Sequence, residues 1–353
     1  MILRFKWNNF WKKGLFLSIF VAALSLSVAC SQQIVEKIDL TEFGPAMPRN
    51  FFIGSENPSK ALINLGKQLY YEPRLSKSNL ISCNSCHNLS NYGVDNEKTS
   101  PGHLNQRGGR NSPTVYHAAP QIAQFWDGRA ETVEEQALGP ILNPIEMGMV
   151  SEAKVLEVLN SMPEYVTAFK RAFPQESDPV TYENIGKAIG TFERGLVTPA
   201  PFDLYFAGDE SALNEQQKRG LKLFASDCAS CHFSNNFGGE MFGKLGLEKE
   251  WPNKEDLGRY EVTKKEEDRL KFKVPILRNV AETAPYFHDG SVATLEEAVK
   301  LMAEYQTKTK LSESEVQDII AFLNSLTGEL PKDYISKPIL PKSTAQTPLP
   351  DLS

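Results

Sequence analysis

The chain has 353 residues, 41% of them hydrophobic and 23% charged, which excludes general disorder and leaves room for two domains with a core in each. Its formal charge is -6, and the first thirty residues hold Arg4, Lys6, Lys12 and Lys13 with no acid, so the remainder is more acidic still. That balance argues against nucleic acid as a partner and for a basic protein.

In chain order, the first feature is an uncharged, mostly apolar run from Leu15 to Ala29 behind a basic stretch, ending in Ser27-Val28-Ala29-Cys30. A spanning helix wants about 20 apolar residues, so residues 1–30 read as a secretory signal. Small residues before Cys30 suggest lipoprotein processing at that cysteine, with simple cleavage nearby as the alternative. Either route puts the rest of the chain outside the cytoplasm, in the periplasm and tethered to the membrane if Cys30 is lipidated. Residues 31–56 are polar, contain Pro and Gly, and read as a linker.

Asn57-Pro58 then signals a helix start, with Asn as N-cap, and Leu62, Leu65 and Leu69 give that helix one apolar face. The phrase from Leu65 to Tyr70 returns as Arg219 to Phe224, each time just ahead of a cysteine pair, so the chain reads as two related halves. Ile185, Ile189, Phe192 and Leu196 predict a helix that closes the first half before Pro199-Ala200-Pro201. Thr294 with Glu297, and Ser312 with Glu315, are capping boxes. The second opens a helix carrying Val316, Ile319, Ile320, Leu323 and Leu326 up to Gly328. Two later motifs, Cys83 to His87 and Cys228 to His232, each of the heme-attachment form C-x-x-C-H, make these halves cytochrome c-like heme domains, so the expected fold is mainly α, with such domains at 57–198 and 199–330 and a tail at 331–353. Between His87 and Val150 lies a long aperiodic segment rich in Gly, Pro and Asn, of the kind that is usually functional, and it should wrap the first heme.

Four cysteines besides Cys30 occur as Cys83-Asn84-Ser85-Cys86-His87 and Cys228-Ala229-Ser230-Cys231-His232. Two disulfides would suit an oxidising compartment, but two copies of C-x-x-C-H are the attachment pattern for two covalent hemes c. Each pair of thiols bonds the porphyrin, and His87 or His232 becomes the proximal iron ligand. The second axial ligand decides the work, because Met raises the potential for electron transfer while a displaceable ligand admits substrate.

For the second heme the candidates are Met241, only nine residues past His232, and Met302, on the helix opened by Thr294. A core-filling Met is the alternative for Met302. For the first heme, His103 sits among Gly102, Gly108 and Gly109, a flexible setting that suits a displaceable ligand, with a surface-loop histidine as the alternative. His117 reads as structural. Glu146 is a lone carboxylate in the apolar stretch Pro144 to Gly148; burial would raise its pKa and fit it to move protons, whereas a solvated glutamate is the alternative.

Over about residues 60–330 the sequence resembles the bacterial diheme cytochrome c peroxidases. The resemblance rests on Leu75-Ser76, Arg110 to Val115, Gln124 to Ala130, Phe272 to Pro275, Leu277-Arg278-Asn279 and Ala284 to Gly290, besides the heme motifs. It implies an enzyme that reduces hydrogen peroxide with electrons from a small donor protein, a cytochrome c or a cupredoxin. It further implies that His103 is the displaceable ligand of a low-potential N-terminal heme, that Glu146 is the catalytic acid-base with Gln136 beside it, and that Trp126 lies between the hemes. Met302 would be the axial ligand of a high-potential C-terminal heme. Calcium would bind Asn111 and the carbonyls of Thr283 and Pro285 between the domains. Leu104-Asn105 departs from the pattern, since many members carry an aromatic residue after the histidine. The resemblance also admits a homodimer, although no oligomeric state is written in the chain. Two rivals are a related diheme oxidase that modifies another protein, which lacks the axial Met and distal His, and a diheme electron carrier with no catalysis.

Overall fold

The computed structural model describes residues 40–54 and 57–353, so the signal segment, Cys30 and residues 31–39 lie outside the described residues. The described part belongs to one compact unit, Asp39–Ser353. It is mainly helical: α1 (Lys60–Tyr70), α2 (Cys83–Cys86), α3 (Val133–Gln136), α4 (Gly139–Leu142), α5 (Glu152–Asn160), α6 (Pro163–Ala172) and α7 (Tyr182–Glu193) make the first half. The second half holds α8 (Pro201–Phe206), α9 (Glu215–Asp227), α10 (Tyr260–Thr263), α11 (Leu295–Met302) and α12 (Glu313–Asn324), followed by α13 (Lys332–Ile335). One antiparallel ribbon, β1 (Phe242–Lys244) with β2 (Lys271–Lys273), pairs Gly243 with Phe272. Among the described residues no helix is long and apolar enough to cross a membrane.

The recurring phrase is a recurring helix crossing. A Cβ on Gly66 of α1 would stand 1.9 Å from the carbonyl oxygen of Ala188 on α7, and one on Gly220 of α9 would stand 1.8 Å from that of Asp318 on α12. In each half the heme-proximal helix therefore touches the closing helix backbone to backbone, which only glycine allows. We expect Gly66→Ala to destabilise the folded protein by about 1–3 kcal/mol or more, since the backbone must part to admit the methyl group. Urea unfolding of the holoprotein should show a lowered midpoint, and an unchanged midpoint would refute the crossing.

The first core gathers Leu65, Leu69, Ile185, Ile189 and Phe192. The second is a knot of rings, Phe43, Phe202, Phe224, Phe237 and Phe322, all fully buried with centroids 4.9–6.3 Å apart where they meet. Phe43 corrects the linker reading. The stretch 40–54 is not a free tether, because Phe43 is buried in the second core and the Phe51 N–H donates to the Arg194 carbonyl (2.9 Å).

Three helix ends also differ from expectation. The cap of α1 is Ser59 and not Asn57, because its hydroxyl accepts the Leu62 N–H (3.1 Å). Helix α12 stops at Asn324 rather than near Gly328, where Ser325 donates to the Phe322 carbonyl (2.6 Å) and closes the last turn. At Thr294 the side chain accepts the Glu297 N–H (3.2 Å), one half of a box, whereas Ser312 and Glu315 make both halves.

The expected boundary near Pro199 is a buried seam. His117 Nε2 accepts from Thr198, whose hydroxyl also bonds Asn279, and the Asn279 side chain accepts the Gly328 N–H (3.0 Å). His117 serves structure, as its residue context suggested.

Candidate active site

Both attachment motifs close the same backbone turn. The His87 N–H donates to the Cys83 carbonyl and the His232 N–H to the Cys228 carbonyl, each at 2.9 Å, which carries the imidazole to the side of the two thiols. The four cysteines of the two motifs are half-buried. His87 Nδ1 lies 2.9 Å from the Pro113 carbonyl and His232 Nδ1 lies 3.1 Å from that of Phe237. A carbonyl only accepts, so Nδ1 carries the proton in each ring and Nε2 keeps its lone pair. Burial lowers both imidazole pKa values and holds the rings neutral. An oriented, neutral Nε2 beside two thiols is the donor set a covalent heme needs, so the residues fit two such groups.

Glu146 lies on the turn that follows α3 and α4, and Gln136, half-buried, ends α3 just upstream. Its carboxylate accepts from the Asn143 side-chain amide (3.0 Å). Burial lifts its pKa above the usual carboxylate range, against the pull of the Arg129 guanidinium and of Asn143. Glu146 is half-buried rather than fully solvated. Arg129, quoted in the sequence only as part of a phrase, is held by Asp127 (3.0 Å) and by the face of Phe125.

The backbone of the Glu146 turn also holds His103, whose N–H donates to the Glu146 carbonyl (2.7 Å). His103 is 4% exposed, so it is no surface-loop histidine. Gly102 is likewise not there for flexibility, since a Cβ would stand 1.9 Å from the Ile145 carbonyl, whereas Gly108 and Gly109 meet nothing within 4 Å. Across the ring, Gly148 has φ +71° and a Cβ there would meet the imidazole at 3.1 Å. Leu104 and Asn105 follow with φ +56° and +58°, a left-handed conformation that Asn tolerates and that costs Leu104 about 1–2 kcal/mol. The turn is held against that cost by its hydrogen bonds.

Trp126 stands at the seam. Its indole N–H donates to the Asn111 carbonyl (2.9 Å) and its own carbonyl accepts the Lys273 N–H (2.8 Å). It packs in one apolar cluster with Trp251, Phe272, Phe287 and Met302. Met302 ends α11, is half-buried, and is followed by a π-helical turn, Ala303–Thr307, a feature often found at functional sites. Met241 lies beside β1, its carbonyl accepting the Val274 N–H (2.9 Å).

Asn111 joins the halves, its N–H donating to the His288 carbonyl (2.8 Å) and its amide Nδ2 to that of Glu97 (3.0 Å). Its Oδ1 is left as an acceptor. The Asn96 amide donates to the Ala284 carbonyl (2.7 Å), so the loop around Asn111 is sewn to the stretch carrying Thr283 and Pro285. Among the described residues no three His, Cys, Asp or Glu side chains gather for a metal. A cation in this seam would rely on carbonyl and amide oxygens, which suit calcium.

Two features carried no signal of their own in the sequence. Arg110 binds Asp256 through two bonds (2.7 and 2.8 Å) and Asp127 through a third (2.6 Å), clamping the Trp126 loop to the second half. Lys273 is buried against Gln121, and burial brings its pKa down to about 8. A lysine inside a β-ribbon reads as solvated unless its neighbours across the fold are known.

The profile of the family described as Di-haem cytochrome c peroxidase matches residues 60–211, and that of Cytochrome c matches residues 217–327. The chain is 48% identical to cytochrome c551 peroxidase of Pseudomonas aeruginosa, over 81% of this chain and 84% of that one. It is equally 48% identical to cytochrome c551 peroxidase of Nitrosomonas europaea, over 81% of this chain and 85% of the relative. A solved MauG-like protein associated with microbial copper homeostasis superposes with a TM-score of 0.74 at 29% identity, covering 86% of this chain and 99% of that one.

Proposed function

The chain belongs to the di-haem cytochrome c peroxidase family, and from that premise we propose how its residues divide the work. The protein is a cytochrome c peroxidase that carries two covalently bound hemes c and reduces hydrogen peroxide to water with electrons from a redox protein. The hemes supply one-electron chemistry at iron when bound.

In our reading, the N-terminal half holds the peroxide site and the C-terminal half receives electrons. His87 and His232 would hold the two irons from the attachment motifs, Met302 would ligate the C-terminal heme iron, and His103 would be the displaceable ligand of the other. Glu146 takes and returns the protons of the reaction, Gln136 lines the same pocket, and Trp126 spans the seam between the halves. Asn111 with the carbonyls of Thr283 and Pro285 binds calcium. The basic, apolar leader ending at Cys30 supports a periplasmic lipoprotein, and the acidic chain supports a basic donor, a small cytochrome or cupredoxin.

One observation supports the peroxidase assignment at residue level: Glu146, whose carboxyl pKa is raised, accepts on its backbone carbonyl the N–H of the buried His103. A pure electron carrier has no use for such a pair. The test is peroxide reduction by purified protein matured in a periplasm, with reduced cytochrome c as donor; no turnover in any redox state would leave the carrier reading in place.

Met302→His should lower the potential of the C-terminal heme by a sizeable part of the about 0.8 V that axial ligands command, and slow electron entry. Redox titration of the variant reads this directly. An unchanged potential would move the ligand to Met241 or elsewhere.

A further inference from the structure

Lys273 is a buried cation whose one polar partner is neutral. The residue ends β2, and its Nζ donates to the side-chain oxygen of Gln121, an amide. Among the described residues no carboxylate pairs with it, so burial acts on the ammonium unopposed. An ammonium has three N–H groups to place, and Gln121 takes one. The backbone holds the side chain in this position. The Lys273 N–H donates to the Trp126 carbonyl (2.8 Å), and Gln121 is wedged against Gly239, where a Cβ would stand 2.7 Å from the Gln121 side chain.

The surroundings indicate what such a cation serves. On one side, Trp126 and Gln121 belong to the first half. On the other, the Val274 carbonyl accepts the Gly239 N–H (2.8 Å) and the Pro275 carbonyl bears on the buried His232 imidazole, so β2 runs on to the second attachment motif. A covalent heme brings two propionates with it, and these are anions that the chain itself does not encode.

We propose that Lys273 is the counter-ion of a propionate of the C-terminal heme, with Gln121 as the positioning residue that aims the ammonium. This rests on the two covalent hemes and gives a role to residues outside the attachment motifs. A carboxylate near a heme favours the ferric state, which carries one more positive charge, and a paired ammonium offsets that preference. Lys273 therefore makes the C-terminal heme easier to reduce, the direction in which a methionine ligand also acts. Its backbone bond to Trp126 fixes this charge at the seam between the halves.

The test is a redox titration of holoprotein matured in a periplasm, together with resonance Raman of the propionate bending modes; His232→Met marks which midpoint belongs to the C-terminal heme. Lys273→Gln removes the charge and keeps a donor. It should lower that midpoint, so that at a fixed potential the ratio of reduced to oxidised heme falls about ten-fold, the scale of one unit charge inside a protein. A propionate mode should shift with it, whereas Lys273→Arg should keep both close to the parent. Gln121→Leu should shift the same mode with the charge retained. A lysine that only fills space would lower the urea midpoint when replaced and leave potentials and propionate modes unmoved, and that result overturns the proposal. So does a shift confined to the N-terminal heme, or a Lys273→Arg protein that behaves as Lys273→Gln does. If Lys273→Gln loses its hemes, Gln121→Leu decides, and an unmoved propionate mode there is equally fatal. A parent protein whose mass lacks one heme would sink the two-heme reading itself, before any variant is compared.

Discussion

Glu146→Ala is expected to reduce peroxide turnover by about 10²- to 10⁴-fold while both heme absorption spectra stay as in the parent protein. The residue sits on the turn after α4 with its carboxylate bonded to Asn143, and burial raises its affinity for a proton. To accept a proton from peroxide the group must first be ionised. Turnover should therefore fall as pH drops through its pKa, at a pH above the ordinary glutamate value of about 4.3. The Arg129 guanidinium favours the carboxylate, so Arg129→Leu should move that fall to higher pH without removing the hemes. A Glu146→Ala protein that keeps more than about half its activity would take the residue out of the mechanism, since a general acid-base group contributes far more than that.

The second large effect is a gain. The fully oxidised protein is expected to be inactive until the C-terminal heme alone is reduced in the presence of calcium, and His103→Gly is expected to be active without that step. In the proposed reading His103 would occupy the position peroxide needs, so turnover would require it to leave. Reduction displaces it only if the loop's two states differ in free energy between the redox forms. The path for such coupling is visible as bonded contacts: His103 to the Glu146 turn, Asn111 to His288 of the second half, and Arg110 to Asp256. Calcium on Asn111, Thr283 and Pro285 would tighten this seam. Stopped-flow mixing of oxidised protein with peroxide checks the expectation. Should His103→Gly still need pre-reduction to the same extent, His103 is not the gate; should the oxidised parent already be fully active, the switch is missing.

How far the chain could be read from its residues depends on how local each feature is. Heme attachment lies within five consecutive residues, and the backbone bond from His87 to Cys83, or from His232 to Cys228, is one helical turn. Spacing therefore determines it, and the two hemes, the two related halves and the mainly helical fold were legible. The capping box at Ser312 belongs to the same class, because its chemistry is settled within a turn, whereas Gly66 and Gly220 are explained only by the distant helices they cross.

The site is different. Arg110 and Asp256 are 146 residues apart, and Gln121 and Lys273 are 152 apart. No period or spacing encodes such pairs, since they depend on the path of loops that carry no repeat. For the same reason Gly102 looked like a hinge and is a close contact, and Phe43 looked like linker and is core. The sequence by itself determined two covalent hemes and a mainly helical fold in two related halves, and it singled out Glu146 and His103 as candidates to serve the first heme. Only the tertiary structure decided that the carboxylate is half-buried and the histidine buried, because burial depends on distant segments folding over a residue and not on the residue's own neighbours in the chain.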